Sequence, residues 1–370
     1  MRKKKILITT TIQGHKSIAQ AVYENLHNQY EAKIYLDEFK PFLTLYTIPY
    51  KYLPQINYVN NLGERQPFFS LLQQAFYKYS YVRLKKEVES FKPNLIISSY
   101  FGFNLSLNQI KKEKQIENFN LITDPVNPFS INFNPISKNF VFDEQLKQSA
   151  MNNKINKIKE KNLIVSGWFT RPKFYQSCKD NHLMQEFHFV KDKFTILICG
   201  GSEGSIAILK ILPFLIYSFP HIQIIVVCGR NKALYRSITN LVFLSQKIPN
   251  HEIPKVKVLG FFENMPALIQ MSDLIVGKAG PNLIFESIAC QKPFMAISHI
   301  PGQEEGNLDM IKNYHLGFVE ENPLKAIKLL KKIIKKPEIL QEFNETIAKV
   351  RDYNQKAKSI LLKEIVKILN

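Results

Sequence analysis

Short apolar runs alternate along the chain with longer amphipathic segments. Ile6–Thr11, Lys33–Leu36, Leu95–Ser98, Asn120–Thr123, Phe140–Phe142 and Leu163–Ser166 predict the strands of one sheet. Phe194–Cys199, Gln223–Cys228, Val256–Leu259, Leu274–Val276 and Phe294–Ile297 predict a second. Apolar strands separated by helical lengths of chain belong in parallel sheets covered on both faces. Between the two sets, Gly167–Lys193 has mixed polarity and carries Pro172, as an inter-domain connection would. The tail from Pro337 to Asn370 is periodic and Lys-rich, which predicts helix. The expected architecture is α/β, with two Rossmann-like domains whose parallel sheets face a central cleft.

One segment exceeds what a minimal βαβ unit needs. Phe39 to Val88 is crowded with Tyr, Phe and Leu and dotted with Lys51, Arg65, Lys78, Arg83, Lys85 and Lys86. Pro41, Pro49, Pro54 and Pro67 keep its first half irregular, while Phe68 to Val88 reads as an aromatic and basic amphipathic helix. Such a helix suits the interface of an anionic bilayer. The plainer alternative is that these aromatics are core.

Length and charge sharpen the picture. A chain of 370 residues is more than one core usually serves. The net charge of +19 implies an anionic partner, although lysine on ordinary solvated faces accounts for part of it. No nucleic-acid module is visible, and charge alone gives only non-specific binding, so no nucleic-acid partner is expected. The apolar run from Ile6 is too short for a signal peptide and reads as a first strand. Ile206 to Cys228, the best membrane-span candidate, is broken by Lys210, Pro213, Pro220 and His221. Cys178, Cys199, Cys228 and Cys290 are widely spaced, as reduced thiols of a cytosolic protein would be rather than a disulfide or metal set.

The candidate chemistry concentrates between Ser272 and Asn307. A strand runs into a Gly-containing turn, a helix opens at Pro281 with Glu286 about a turn and a half in, and a second polar loop, Pro301 to Asn307, opens the next helix. Two helix N-termini beside glutamates and a glutamine suit a ligand that is part anionic phosphate and part polyhydroxyl, which is the chemistry of a nucleotide-sugar. Upstream, Phe194–Cys199 feeds Gly200-Gly201-Ser202-Glu203-Gly204-Ser205, whose glycines let a backbone approach a phosphate. Cys228-Gly229-Arg230-Asn231 and Gly260-Phe261-Phe262 end the next two strands, and ligands of open parallel sheets sit at those carboxyl ends.

The run K-A-G-P…E…P-G-Q-E-E-G-N from Lys278, with C-G-R-N-K and the G-W-F-T-R-P-K-F stretch at Gly167–Phe174, resembles the monogalactosyldiacylglycerol synthase and processive diacylglycerol glucosyltransferase family. That family is related to the N-acetylglucosaminyltransferase that builds lipid II. The resemblance implies a GT-B fold, a UDP-sugar donor on the second domain, inversion at the anomeric carbon and no catalytic metal or other cofactor. It implies domains of 1–166 and 167–352, with a final helix of about 353–370 packing back on the first. Glu286 would bind the ribose hydroxyls, and the backbone around Phe261 and Phe262 would read the uracil edge. Gly201, Ser202, Glu203, Gly229 and Arg230 would line the donor site. Ser202, Glu203, Ala279, Gly280 and Pro281 would surround the diphosphate, with Lys278 nearby to offset its charge, while Gln303 and Glu304 would take sugar hydroxyls.

In the first domain, Thr10-Thr11-Ile12-Gln13-Gly14-His15 stands where family members carry a glycine-rich loop ending in histidine. His15 would be the general base, and Asp124, in Ile122-Thr123-Asp124-Pro125, would assist as base, orient His15, or only cap a turn. The family's histidine a few residues on is absent, with Phe129 in its vicinity. The implied function is hexose transfer from a UDP-sugar to diacylglycerol or a similar lipid alcohol, by a cytoplasmic enzyme peripheral on the inner face of the cell membrane. The alternatives are a lipid II-type UDP-GlcNAc transferase, a UDP-GlcNAc 2-epimerase and a catalytically inactive nucleotide-sugar binder.

Overall fold

In a computed structural model the structure describes residues 3–39, 66–126, 128–153, 155, 158–177 and 181–369. The irregular stretch with Pro41, Pro49, Pro54, Lys51 and Arg65 lies outside the described residues, as does Cys178. The chain divides into two compact units. One comprises Met1–Pro172, Ile300–Gly306 and Asp352–Asn370; the other comprises Lys173–His299 and Asn307–Arg351.

The first unit holds a six-stranded parallel sheet, ordered β2-β1-β3-β4-β5-β6. Its strands are β1 (Lys5–Thr10), β2 (Glu31–Leu36), β3 (Leu95–Ser98), β4 (Glu117–Leu121), β5 (Lys138–Val141) and β6 (Leu163–Val165). β1 is flanked on both sides from Ile6 to Thr9 and is apolar over Ile6–Ile8: Ile6 pairs with Ala32 of β2 and Leu95 of β3. The helix Gln66–Phe91 covers this sheet, turning Phe76, Leu84 and Val88 into a core with Leu7, Ile96 and Phe103. Phe39 fills the centre of that core, its ring centroid 4.9 Å from that of Phe103. Much of the aromatic content of this region is therefore interior packing. Two of its basic residues are ion-paired, Arg83 with Asp37 and Lys85 with Glu113.

β4 starts at Glu117, three residues ahead of its sequence-based bound, because polar residues fill its inward positions. Asn118 and Asn120 are 1% exposed, and Asn120 Nδ2 donates to the Asn132 carbonyl at 2.7 Å and to Asn139 Oδ1 at 2.8 Å. A buried amide satisfied as Asn120 is costs little and fixes the register of the strand, whereas Asn118 Nδ2 has no partner among the described residues.

The second unit holds β7 (Thr195–Cys199), β8 (Gln223–Val227), β9 (Lys255–Leu259), β10 (Leu274–Lys278), β11 (Phe294–Ser298) and β12 (Gly317–Val319). All run parallel in the order β12-β11-β10-β7-β8-β9, with β7 at the reversal of strand order. Ile196 of β7 lies between Ile224 and Leu274. Each such side chain gains roughly 1.5–3 kcal/mol on burial. The helices Leu212–Ser218, Lys232–Ser245 and Pro323–Lys335 pack their buried residues into one core against this sheet. β12 was not anticipated: at three partly buried residues it carries too little apolar pattern to register.

The tail forms two helices, Asn344–Gln355 and Ala357–Leu369. Residues from Asp352 onward are held in the first unit. Asn354 Oδ1 accepts from the Trp168 N–H at 2.9 Å, the Tyr353 hydroxyl donates to the Phe142 carbonyl at 2.6 Å, and Lys138 pairs with Glu364.

Candidate functional site

In the second unit the strand order reverses between β7 and β10, and the loops beyond those two strands converge there. β10 is cut close to β7 by Gly277, where a Cβ would lie 2.3 Å from the Cys199 carbonyl oxygen. The register slips at Gly277/Lys278, and Lys278 closes the strand opposite Ser298. A Cβ on Gly201 would lie 4.0 Å from Lys278 Cε, so the lysine stem lies alongside the glycine-rich loop. Glu286, on the helix Pro281–Ala289, belongs to the same cluster. The Cys199 thiol is pushed up to about 11 by burial, and Glu286 adds to the rise while Lys278 opposes it. The thiol therefore stays protonated and inert near neutrality.

The glycine-rich loop is locked by the loop after β8. Gly204 (φ +71°) and Gly229 (φ +59°) occupy the left-handed region, and a Cβ on either would lie 2.3 Å from a carbonyl oxygen, that of Cys228 or Ser202. The Arg230 N–H donates to the Ser202 carbonyl at 2.8 Å. Among the described residues no acceptor takes the backbone N–H of Ser202 or Glu203. Two donors therefore remain at the loop tip for an anion. Arg230 lies over the Phe261 ring at 4.3 Å and reaches Glu203 at 3.5 Å, so residues from the loops after β7, β8 and β9 form one wall. Phe261 is half exposed there, with Phe262 partly buried beside it.

At Lys278–Pro281 the structure narrows the expectation. The Ala279 N–H donates to the Ser298 carbonyl at 2.8 Å and the Gly280 N–H to the Lys278 carbonyl at 2.7 Å, while Pro281 has no N–H. These three shape the helix start, and the backbone N–H groups of Ala279 and Gly280 are taken by the chain's own carbonyls.

In the first unit the reversal falls between β1 and β3. The helix Gly14–Leu26 starts just beyond β1, placing His15 in its first turn. His15 Nδ1 lies 2.7 Å from the Ser99 carbonyl oxygen, just past β3. A carbonyl only accepts, so Nδ1 carries the proton and Nε2 keeps its lone pair. Ser99 braces this arrangement, its hydroxyl donating to Thr10 Oγ1 at 2.8 Å and to the His15 carbonyl at 3.1 Å. The Tyr100 ring meets the imidazole edge-on at 4.9 Å. Burial pushes His15 down to about 4, with the Ser99 carbonyl pulling the other way. The imidazole is neutral at pH 7, though further below neutrality than its type alone suggests.

The Ser99 carbonyl holds His15 Nδ1, and the hydrogen bonds of Asp124 run to other groups. The Asp124 carboxylate accepts from Asn132 Nδ2 at 2.7 Å and from Gln303. Burial pushes it up to about 6, the Glu304 charge adds to the rise, and the two amides restrain it. Gln303 and Glu304 thus stand beside Asp124, because Ile300–Gly306 groups with the first unit. Glu304 is 4% exposed and its Oε2 accepts from the Ile300 N–H at 2.8 Å, so one carboxylate oxygen holds its own loop. Ser99, Tyr100 and Asn132 were not foreseen. The first two follow directly after a strand at the reversal point, a signal open to sequence reading, whereas Asn132 gives none.

Two Rossmann-like units, each with its polar loops at the carboxyl ends of parallel strands, are the GT-B fold, and residues 195–367 match the glycosyltransferase family 28 C-terminal domain. The chain is a glycosyltransferase of that fold. It is similar to the processive diacylglycerol beta-glucosyltransferase of Bacillus subtilis (strain 168), at 22% identity over 98% of this chain and 95% of that protein. The enzyme of the same description from Staphylococcus saprophyticus is 26% identical over 100% of this chain and 94% of its own. Among solved structures, the UDP-GlcNAc 2-epimerase from Neisseria meningitidis bound to UDP-GlcNAc superposes with a TM-score of 0.61 at 15% identity. That match covers 98% of this chain and 100% of the epimerase.

Proposed function

We propose that the protein transfers a hexose from a UDP-sugar to diacylglycerol or a similar lipid alcohol, with inversion at the anomeric carbon. The observation that carries the reading is His15, neutral, braced through Nδ1, with Nε2 left to act as a base. Nε2 takes the proton of the acceptor hydroxyl as its oxygen attacks the anomeric carbon, and the bond from that carbon to the UDP oxygen breaks. The leaving diphosphate is met by the Lys278 ammonium and by the N–H groups of Ser202 and Glu203. Glu286 takes the ribose hydroxyls and Phe261 and Phe262 flank the uracil, roles supported by their place beside that loop. Asp124 and Gln303 present a carboxylate and an amide to hydroxyls of the reacting partners.

No metal enters this scheme, because the charge of the leaving group is offset by the chain's own donors; activity should therefore survive EDTA. The lipid acceptor is supported by the diacylglycerol enzymes to which nearly the whole chain aligns. No helix among the described residues is long and apolar enough to cross a membrane, and a cytoplasmic enzyme on the membrane's inner face accords with a lipid substrate. The test is release of UDP from UDP-glucose, UDP-galactose and UDP-GlcNAc in turn, with and without diacylglycerol vesicles. Release from one hexose donor only when diacylglycerol is present supports the reading. Acceptor-independent release, or conversion of UDP-GlcNAc to its 2-epimer, would overturn it.

A further inference from the structure

The net charge of the protein is not spread evenly. The helix layer on one face of the second sheet is built from 206–218, 232–248 and 323–336, and these stretches contain no Asp or Glu. The helix Pro323–Lys335 turns Ala326, Leu330 and Ile333 into the core and presents Lys325, Lys328, Lys331, Lys332 and Lys335 to solvent, with Lys336 just beyond. Lys210, Lys232, Arg236 and Lys247 are exposed on the other two segments. None of these ten has a carboxylate partner among the described residues, and the first acid beyond them is Glu338. The helix Gln66–Phe91 of the first unit contrasts with this, since Arg83 and Lys85 are there neutralised by Asp37 and Glu113.

Apolar side chains stand exposed among these charges. Leu324 is 72% exposed, Leu244 62%, Phe243 53%, Tyr217 41% and Ile248 40%. Lys247 lies over the Phe243 ring at 4.2 Å, which joins the cationic and apolar features in one spot. An unpaired cationic surface with interspersed aromatic and aliphatic side chains matches a leaflet rich in anionic headgroups, where charge draws the surface in and apolar groups settle at the acyl boundary. Nucleic acid fits less well, because only one of the ten cations is arginine and most of the exposed apolar side chains among them are aliphatic, which suits a bilayer boundary better than a base stack.

We propose that the outer face of this second-unit helix layer is the docking surface for an anionic bilayer, in place of the helix Gln66–Phe91. The choice of a bilayer rests on the lipid-acceptor reading above. The surface brings the enzyme to its acceptor and takes no part in the chemistry.

The experiment measures partition of the full-length protein onto phosphatidylcholine vesicles with and without phosphatidylglycerol. The variants are K328Q/K331Q/K335Q and, as comparison, K78Q/K86Q. Each lysine near an anionic surface contributes about 1 kcal/mol, so the triple variant should partition roughly a hundredfold less well, and only where phosphatidylglycerol is present. The comparison variant should bind as the parent does. The result that overturns the proposal is loss of binding in K78Q/K86Q with retention in the triple variant. A mixed-sequence DNA duplex that displaces the vesicles at equal charge overturns it too. Transfer to diacylglycerol dispersed in neutral detergent separates the two readings. Turnover unchanged there in the triple variant supports a purely docking role, and a parent protein that binds anionic vesicles without any turnover sinks the transferase reading while leaving this surface standing.

Discussion

His15 shows how much one acceptor decides. Because the Ser99 carbonyl fixes the tautomer and burial holds the ring down to about 4, the imidazole is already neutral where an enzyme works, and its titration is not the acid limit of activity. Asp124, pushed up to about 6 chiefly by burial, titrates instead in the working range. We expect kcat/KM to rise with pH through about 6 and, in Asp124→Asn, that limb to move towards 4; His15→Ala should lower kcat by about 10²–10⁴-fold with the fold intact. Stability runs in opposite senses for the two groups. As pH falls from the ordinary 6.5 towards 4 the unfolded chain protonates its histidine first, so the His15 contribution is lost. As pH rises from the ordinary 3.8 towards 6 the unfolded chain ionises its aspartate first, so the Asp124 contribution is lost. Thermal unfolding across that range, in the parent and in each variant, checks both signs. Two residues before His15, Gln13 adopts φ 62°, ψ −134°, a region that suits only glycine. Gln13→Gly should relieve about 1–3 kcal/mol of strain against about 0.5–1 kcal/mol of added chain entropy, so Tm should rise. His15 was legible in the sequence because a motif pointed to it. Its true partner was not, because a backbone carbonyl leaves no mark on residue identity.

The loops at the strand ends act together. Gly204→Ala would place a Cβ 2.3 Å from the Cys228 carbonyl oxygen and 2.9 Å from Asn231 Cβ, at φ +71°. We expect that single methyl to separate the loops after β7 and β8 and to raise KM for the donor at least tenfold, with a smaller effect on kcat; donor titration by calorimetry gives the direct check. The strands before these loops were readable because most were uniformly apolar. β4 was readable only in part, since Asn118 and Asn120 are buried as amides and look like loop residues in a hydropathy pattern. The converse held at Lys278–Pro281: the sequence pointed to phosphate ligands, and the fold spends two of their N–H groups on its own carbonyls. Sequence reports which groups are present, whereas hydrogen-bond assignment depends on partners distant along the chain.

Both sheets have their reversal of strand order where the candidate chemistry lies, and this much of the architecture followed from the spacing of apolar runs. The grouping of Ile300–Gly306 with the first unit did not follow, because nothing in Pro301-Gly302-Gln303-Glu304 distinguishes a donor loop from one held beside Asp124. The terminal segment is tied to the first unit through Tyr353, Asn354 and Glu364. Asn354→Ala would leave the buried Trp168 N–H without its acceptor and should cost about 1–3 kcal/mol, read as a lower denaturant midpoint at unchanged m. The order in which the units are written has a further consequence. Every residue of the second unit precedes Asp352, whereas the first unit draws its last segment from Asp352–Asn370. Every residue of the second unit is therefore synthesised before the Asp352–Asn370 segment that the first unit incorporates, so the second can close around its core while the first still waits for that segment.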